Sequence, residues 1–445
     1  METSYIPKGI RYVAERLSGM ARNRVRLESQ GASSVNAGMI ISFQLPEGII
    51  DLKSFKMHGR VTTTESKSAD NNHKIFGKIP ADAASLISRI EVQANGQQLT
   101  HACSEYNTVS KILKLCKTSH AHDHSVDRML AHSEHAFNKA VDDVTLVWMS
   151  LFGFFSDCSI RYLDTSLVGA ITVRITLAGN EILTCVGNSG GGSALGHVLT
   201  TQEKGLTLPT YTISELYSTI DVLSMPEVYS RLVRDRMSSA GSIALNFKDY
   251  LTYSLPGQAG DTAQIQFNLS SQSLDRVYVV MRPEDYNSTI PKSGFAFDTT
   301  AVSFGDTNYS SFFQFKSFDS TVDRDGTASY QWQINNVPAP QYRMKTSDAI
   351  FNLPYSEDVS RRDGMIIQSR KAFSQGLGVF VCPLNLVDEG VHLATGYNSQ
   401  GTNSTIRFDA QGLSTVAGTK HSVFALAEVT KTLVIAPGQS LSILH

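Results

Sequence analysis

The feature that most constrains this chain is that part of it occurs twice. Residues 41–57 read ISFQLPEGIIDLKSFKM and residues 265–281 read IQFNLSSQSLDRVYVVM. At one constant offset of 224 positions the segments share Ile41/Ile265, Phe43/Phe267, Leu45/Leu269, Asp51/Asp275 and Met57/Met281. Five identities in 17 positions stand against about one expected at background composition. Apolar residues at 41, 43 and 45 alternate with polar ones, the period of a half-buried strand. The preserved spacing therefore predicts a strand, a turn and a second strand in each copy. A second landmark repeats as well. Ile90-Glu91-Val92-Gln93-Ala94-Asn95-Gly96 precedes a short helical stretch from Ser104 to Leu113, and Trp332-Gln333-Ile334-Asn335-Asn336 precedes one from Ser347 to Leu353. Asn-Gly and Asn-Asn both suit the positive φ angles of a tight hairpin turn. Such a period is far beyond the roughly 20–50 residues of solenoid repeats.

The remainder reads as β. Alternation recurs at Val173 to Leu177, Val277 to Met281 and Phe424 to Ala427, and turn residues interrupt the chain at short intervals. The best helical pattern runs from Met225 to Met237, opening with Ser224-Met225-Pro226-Glu227. There Ser224 can cap while Glu227 returns the bond, and Pro226 sits where a missing N–H costs nothing. The expected organisation is an N-terminal arm at 1–28, a first sandwich at 29–223, a linking helix at 224–240 and a second sandwich at 241–445. Each copy has the size and strand density of a Greek-key sandwich, the class that includes jelly rolls.

Composition narrows the function classes. Charged residues are 18% of the chain, below the roughly 25% of ordinary soluble domains, which excludes a disordered tail protein or a long coiled coil. Lys plus Arg number 39 against 41 Asp plus Glu, a net charge of −2, so an anionic partner must meet a local patch. The arm supplies one. Lys8, Arg11, Arg16, Arg22, Arg24 and Arg26 face only Glu2, Glu15 and Glu28, and Ile10, Val13, Ala14, Leu17 and Met20 form an amphipathic helical stripe. That pattern suits a helix packed on its own domain, or an arm docking on a membrane surface, a polyanion or a neighbouring subunit. The apolar run from Thr145 to Phe155 is too short to span a bilayer. The first residues lack the charged-then-apolar layout of a signal peptide. Five scattered cysteines without a CxxC read as free thiols of a reducing compartment.

Together, two β-sandwich copies, a short helix after an Asn-Gly hairpin and a Pro-Glu-started helix between copies resemble one family. It is the double jelly-roll major capsid proteins of tailless icosahedral double-stranded DNA viruses. Tyr211-Thr-Ile-Ser-Glu-Leu-Tyr-Ser-Thr-Ile-Asp-Val-Leu-Ser-Met-Pro-Glu-Val-Tyr229 is similar to the end of the first jelly roll in those proteins. Ser273-Leu-Asp-Arg-Val-Tyr-Val-Val-Met-Arg-Pro283 resembles an early strand of the second. The likeness is nearest in flavour to the polinton-like and virophage-like group, with hexons and the coats of membrane-containing phages further off. The resemblance implies an all-β fold of two tandem eight-stranded jelly rolls. It also implies a homotrimeric, pseudo-hexagonal capsomer with no catalytic residue, cofactor or metal. Its implied partners are neighbouring capsomers, penton and minor capsid proteins. The arm at 1–28 would face inward, where its six basic residues would meet an internal membrane, a minor protein or the genome. The implied location is the virion, after synthesis in the host cytoplasm or nucleus without secretion. The alternative reading is a tandem β-sandwich that binds or cleaves glycans, since jelly rolls also serve as lectins; a minor vertex or spike protein is a third.

Other motifs in the chain have simpler readings. Gly187-Asn188-Ser189-Gly190-Gly191 matches G-x-S-x-G, but a nucleophile elbow needs a following helix, and three consecutive glycines at 190–192 favour a flexible loop. His120, His122, His124, His132 and His135 lie close in sequence. They fit a solvated loop first, then a pH-sensitive subunit contact, then a zinc site. Asp323-Arg324-Asp325-Gly326 lacks the glutamate that would complete a calcium loop and reads as a hairpin turn. Tyr309, Phe312, Phe313 and Phe315 are expected in a core or an interface rather than a base-stacking platform.

Overall fold

The computed structural model describes residues 21–67, 74–80, 82–100, 103–117, 130–131, 143–188, 195–198, 208–224, 227–284, 311–313, 315, 328–345, 378–385, 395–401, 404–413 and 420–444. The first copy contributes β1 (Ala21–Glu28), β2 (Ile40–Gln44), β3 (Ile49–Asp51), β4 (Lys56–Thr63), β5 (Ile87–Ala94), β6 (Gln97–Gln98), α1 (Tyr106–Lys117), β7 (Asp143–Trp148), β8 (Ile171–Leu177) and β9 (Tyr211–Ser224). α2 (Glu227–Ala240) leads into the second copy. That copy comprises β10 (Ile243–Ala259), β11 (Thr262–Leu269), β12 (Leu274–Pro283), β13 (Ser329–Ile334), β14 (Val337–Lys345), β15 (Phe380–Pro383), β16 (Ser404–Gln411), β17 (Lys420–Ala436) and β18 (Ser440–Leu444).

The strand order is the same twice. In the first copy β1, β9, β4 and β7 lie side by side, with β3 continuing the line of β4 along β9 after one 3₁₀ turn. The second sheet runs β2, β8, β5, β6. The second copy repeats both as β10-β17-β12-β15 and β11-β16-β13-β14. All pairings among the described residues are antiparallel. The two sheets of each copy bury a shared core, with Phe43 against Phe55 in the first and Tyr330 against Phe380 in the second. This is a double jelly roll, with the same eight-stranded, two-sheet core in each half of the chain; the first half adds a further four-stranded sheet of Glu65–Lys67, Lys74–Lys78, Thr184–Asn188 and Leu195–Val198.

The repeat is written into the core. All five residues shared between the sequence segments are buried in both copies, including the two aspartates. The landmark hairpins also correspond. Asn95 and Gly96 turn at φ 47° and 79°, Asn335 and Asn336 at 51° and 64°, and both turns join strands through two residues. The helical stretch expected at 347–353 lies outside the described residues, as do Met225 and Pro226 of the expected helix cap. α2 ends where Gly241, at φ 72°, donates its N–H to the Met237 carbonyl at 2.9 Å, the left-handed stop that glycine adopts without strain.

Two features differ from the sequence reading. Residues 21–28, grouped above with the basic arm, are paired to β9 just as β10 is paired to β17. They complete the first sandwich, which therefore begins at Ala21 rather than 29. The helical stripe from Ile10 to Met20 lies outside the described residues. The second difference concerns β12 and β17, which alternation marked as half-buried. Both are buried on both faces. Val277, Val279 and Met281 fill the second core, whereas Tyr278 and Val280 pack into the cluster that contains α1 and residues 152–155. The first copy thus covers the outer face of the second copy's sheet.

Candidate functional site

The duplication creates two equivalent outer sheet faces with different chemistry. On the second copy the face of β10, β17 and β12 is sealed by α1 and by residues 149–160. Phe154 meets Phe247 edge-on at 5.4 Å. The 157–159 segment runs along β10, with Ser159 N–H donating to the Asn246 carbonyl (2.8 Å) and Lys248 N–H to that of Asp157 (3.0 Å). The ionic groups Glu428 and Arg282 in the seam have partners, because an unpaired buried charge is costly, although the Nε atoms of Arg276 and Arg282 make no hydrogen bond among the described residues. Lys117 Nζ of α1 donates to Glu428 of β17 at 2.7 Å, and the Tyr278 hydroxyl donates to its other oxygen at 2.9 Å. Burial alone would raise the Glu428 carboxyl, but Lys117, Lys248 and Arg276 hold it down at about 2. Arg282 donates to Glu105 and to the Phe312 carbonyl, with its guanidinium 4.1 Å from the Phe312 ring. Phe312, Phe313 and Phe315 are core residues.

On the first copy the same face carries charge and stays open among the described residues. The sequence of β1, ARNRVRLE, puts Arg22, Arg24 and Arg26 on one side by strand alternation and half-buries Val25 and Leu27 on the other. Asp221 of β9 is buried at the foot of the arginines. Arg22 Nε and Arg24 Nε donate to its two oxygens at 2.7 and 2.8 Å. Asp51 accepts from Arg22 and, at 2.9 Å, from Arg161. These two carboxylates are 2% and 1% exposed, while Arg22, Arg24 and Arg161 are 50–63% exposed. The hydrogen bond from Arg24 is the main reason the Asp221 carboxyl sits below its ordinary value. Arg26 lies over the Tyr217 ring at 4.1 Å and bonds Glu28 at 2.7 Å. Tyr217 stacks on His58, whose Nε2 is 2.9 Å from the Thr219 hydroxyl. Burial, then the charges of Lys56, Arg24 and Arg26, lower the His58 pKa.

Of the residues singled out in the sequence, the structure thus brings Arg22, Arg24 and Arg26 together on β1. Lys8, Arg11 and Arg16 lie outside the described residues, as do the histidines at 120–135, Asp323–Gly326 and Tyr309. Gly187 and Asn188 sit within a strand, Thr184–Asn188, and Ser189 to Gly191 lie outside the described residues. Trp148 and Trp332 are both core residues. Cys103, Cys116, Cys158 and Cys382 are free, and burial pushes the Cys116 thiol up to about 12. Asp221, Asp51, Arg161 and His58 escaped the sequence reading. Only Asp51 had left a signal there, as the one charged identity in the repeat.

No family model matches the sequence, and no curated protein matches it either. The fold does match solved structures along nearly its whole length. The PBCV-1 virus capsid aligns with TM-score 0.58 and 13% identity over 97% of this chain and 98% of that one. The Faustovirus major capsid protein aligns with TM-score 0.58 and 9% identity over 98% and 92%. A chain of the Sputnik virophage structure aligns with TM-score 0.52 and 10% identity over 95% and 88%. Identity this low makes the likeness one of fold.

Proposed function

We propose that this chain is the major capsid protein of an icosahedral double-stranded DNA virus, three copies of which close into a pseudo-hexagonal capsomer. The observation that carries the reading is the strand order repeated in both halves, aligned end to end with viral capsid chains. A chain built of two equivalent sandwiches lets three subunits present six similar modules around a three-fold axis. The role is structural, not catalytic. Capsomers then meet one another, and penton and minor capsid proteins, through contacts weak enough singly to be corrected and strong together. The protein resides in the virion after synthesis inside the host cell.

The arm is assigned to the inner surface, where Lys8, Arg11 and Arg16 would meet an internal membrane, a minor protein or the genome. Arg22, Arg24 and Arg26 belong to the same basic run, but the first two also neutralise Asp221. Light scattering on the purified chain tests the capsomer. A species of about 146 kDa, three times 48.6 kDa, is expected, and a monomer at every concentration would count against it. Removing residues 1–20, which leaves β1 in place, should preserve the trimer and impair shell assembly. Normal particle yield from that deletion would remove the arm's role.

A further inference from the structure

We propose that the charged outer face of β1, β9 and β4 is where a second copy of this chain docks, through its second sandwich. The inference rests on the capsomer reading and adds to it which face forms the seam and with what chemistry. Inside one chain the first sandwich covers the outer face of the second. The equivalent face of the first sandwich has no cover among the described residues. A head-to-tail relation between like modules repeats when applied again: the second sandwich of one copy meets the first sandwich of the next. Such a heterologous contact either closes into a ring or runs on as a fibre.

The seam's chemistry follows from the residues. At the intrachain seam, Val280 and Phe424 are buried. Their equivalents by strand register are Lys56 and Thr219, which are themselves paired across β4 and β9. Tyr250, buried against Asp157, corresponds to Arg22. The seam between chains is therefore ionic where the seam within the chain is apolar. Arg22, Arg24, Arg26 and Lys56 call for carboxylates or carbonyl oxygens on the docking copy. Guanidinium groups half-exposed over buried carboxylates keep donors free for such acceptors. Contacts of this kind weaken with salt, whereas the seam inside the chain, with its buried pairs and apolar contacts, is screened much less.

The test uses the full chain and the double variant Arg26→Glu/Lys56→Glu, which leaves the Arg22 and Arg24 bonds to Asp221 intact. Sedimentation across dilution, at low and high salt, should show the variant dissociating at a concentration at least about tenfold higher than the wild type. The thermal midpoint of the separated chains should be unchanged. Hydrogen exchange on the wild type gives a second readout free of mutation: amides of residues 21–28 and 56–60 should slow on assembly. A variant that assembles like the wild type, together with unchanged exchange in β1 of a 146 kDa species, overturns the docking face and leaves the capsomer standing. A wild-type chain that remains monomeric overturns both.

Discussion

The two outer faces occupy the same place in the same fold and have opposite chemistry. Val280 of β12 and Lys56 of β4 are register equivalents, as are Phe424 and Thr219, and Leu426 and Asp221. On the second copy these positions are buried and mostly apolar, and the charges of Glu428 and Arg282 there have partners supplied by α1 or its flank. On the first they carry arginines, a lysine and two carboxylates sunk beneath them. A fold position does not determine whether a surface is core or solvent; the neighbour does. The second copy's face is covered permanently by its own chain, so it can be apolar without risk of aggregation. The first copy's face must remain soluble until something reaches it.

Exchanging the chemistry of the two faces should have the largest effect. Val280→Lys would force an ammonium into the seam beside the Arg282 guanidinium, which already engages Glu105, at a cost of at least about 3 kcal/mol. The reciprocal Lys56→Val should leave the stability of the separated chain within about 0.5 kcal/mol. Urea unfolding measures both. Similar costs for the two would mean that the faces are equally covered in one chain.

Next in size is the charge pair across the seam. Lys117→Met strands Glu428, which is 2% exposed, and should cost about 3–5 kcal/mol at neutral pH. Adding Glu428→Gln should recover much of the loss. The pH dependence has a definite sign. The Glu428 carboxyl is depressed from 4.5 to about 2 in the folded chain, so its contribution is fully present above pH 4.5 and lost as pH falls from there towards 2. A depression of that size is worth on the order of 3 kcal/mol. Acid unfolding of the wild type should show this loss, and Lys117→Met should flatten it. An unaltered acid profile in the variant would mean that Lys117 does not hold the carboxylate.

Much of this architecture was legible in the sequence, and the limits have physical causes. The offset of 224 located equivalent strands correctly because the five shared side chains all face protein in both copies, where packing restricts what can replace them. The Asn-Gly and Asn-Asn hairpins were legible because both turn positions need positive φ. What alternation could not reveal was the second burial of β12 and β17. Period two reports one apolar face, and VYVVM looks the same whether its other face meets water or α1. The basic run ending at Arg26 was visible as charge, but its strand form was not. Arg-x-Arg-x-Arg exposes one face of a strand, and the run continues a helical stripe without a break. Its partners Asp221 and Asp51 lie far away in sequence, and no local pattern links them.

The aspartates that mark the repeat allow a finer comparison. Asp51 and Asp275 are identical in sequence position and both buried, yet they are held differently. Asp275 accepts from Lys248 at 2.6 Å and from the hydroxyls of Thr430 and Ser273 at 2.6 and 2.8 Å, with Lys248 only 13% exposed. Asp51 also caps the 3₁₀ turn through Lys53 N–H, but its charged partners are half in water. Asp275→Asn should therefore cost about 3–4 kcal/mol, in the range for a broken buried pair, and Asp51→Asn about 1–3 kcal/mol, in the range for charged hydrogen bonds. Thermal unfolding of the two single variants orders them. Equal losses would imply that the arginines over Asp51 are as well shielded as Lys248.

The smallest effect belongs to the Arg26–Glu28 pair, and its smallness is informative. Both side chains are more than 60% exposed and sit two residues apart on one strand, so solvent screens their attraction and the flexible side chains lose entropy in making it. Glu28→Gln should leave the thermal midpoint of the separated chain within about 2 °C of the wild type. In the assembled protein the same substitution frees Arg26 to meet an incoming acceptor and removes a competing carboxylate. Dissociation on dilution should then move to lower concentration, in the direction opposite to Arg26→Glu/Lys56→Glu. A stability change with no shift in assembly would instead place Glu28 in the service of β1 alone, and the outer face of the first sandwich would then be a surface shaped by solubility rather than by a partner.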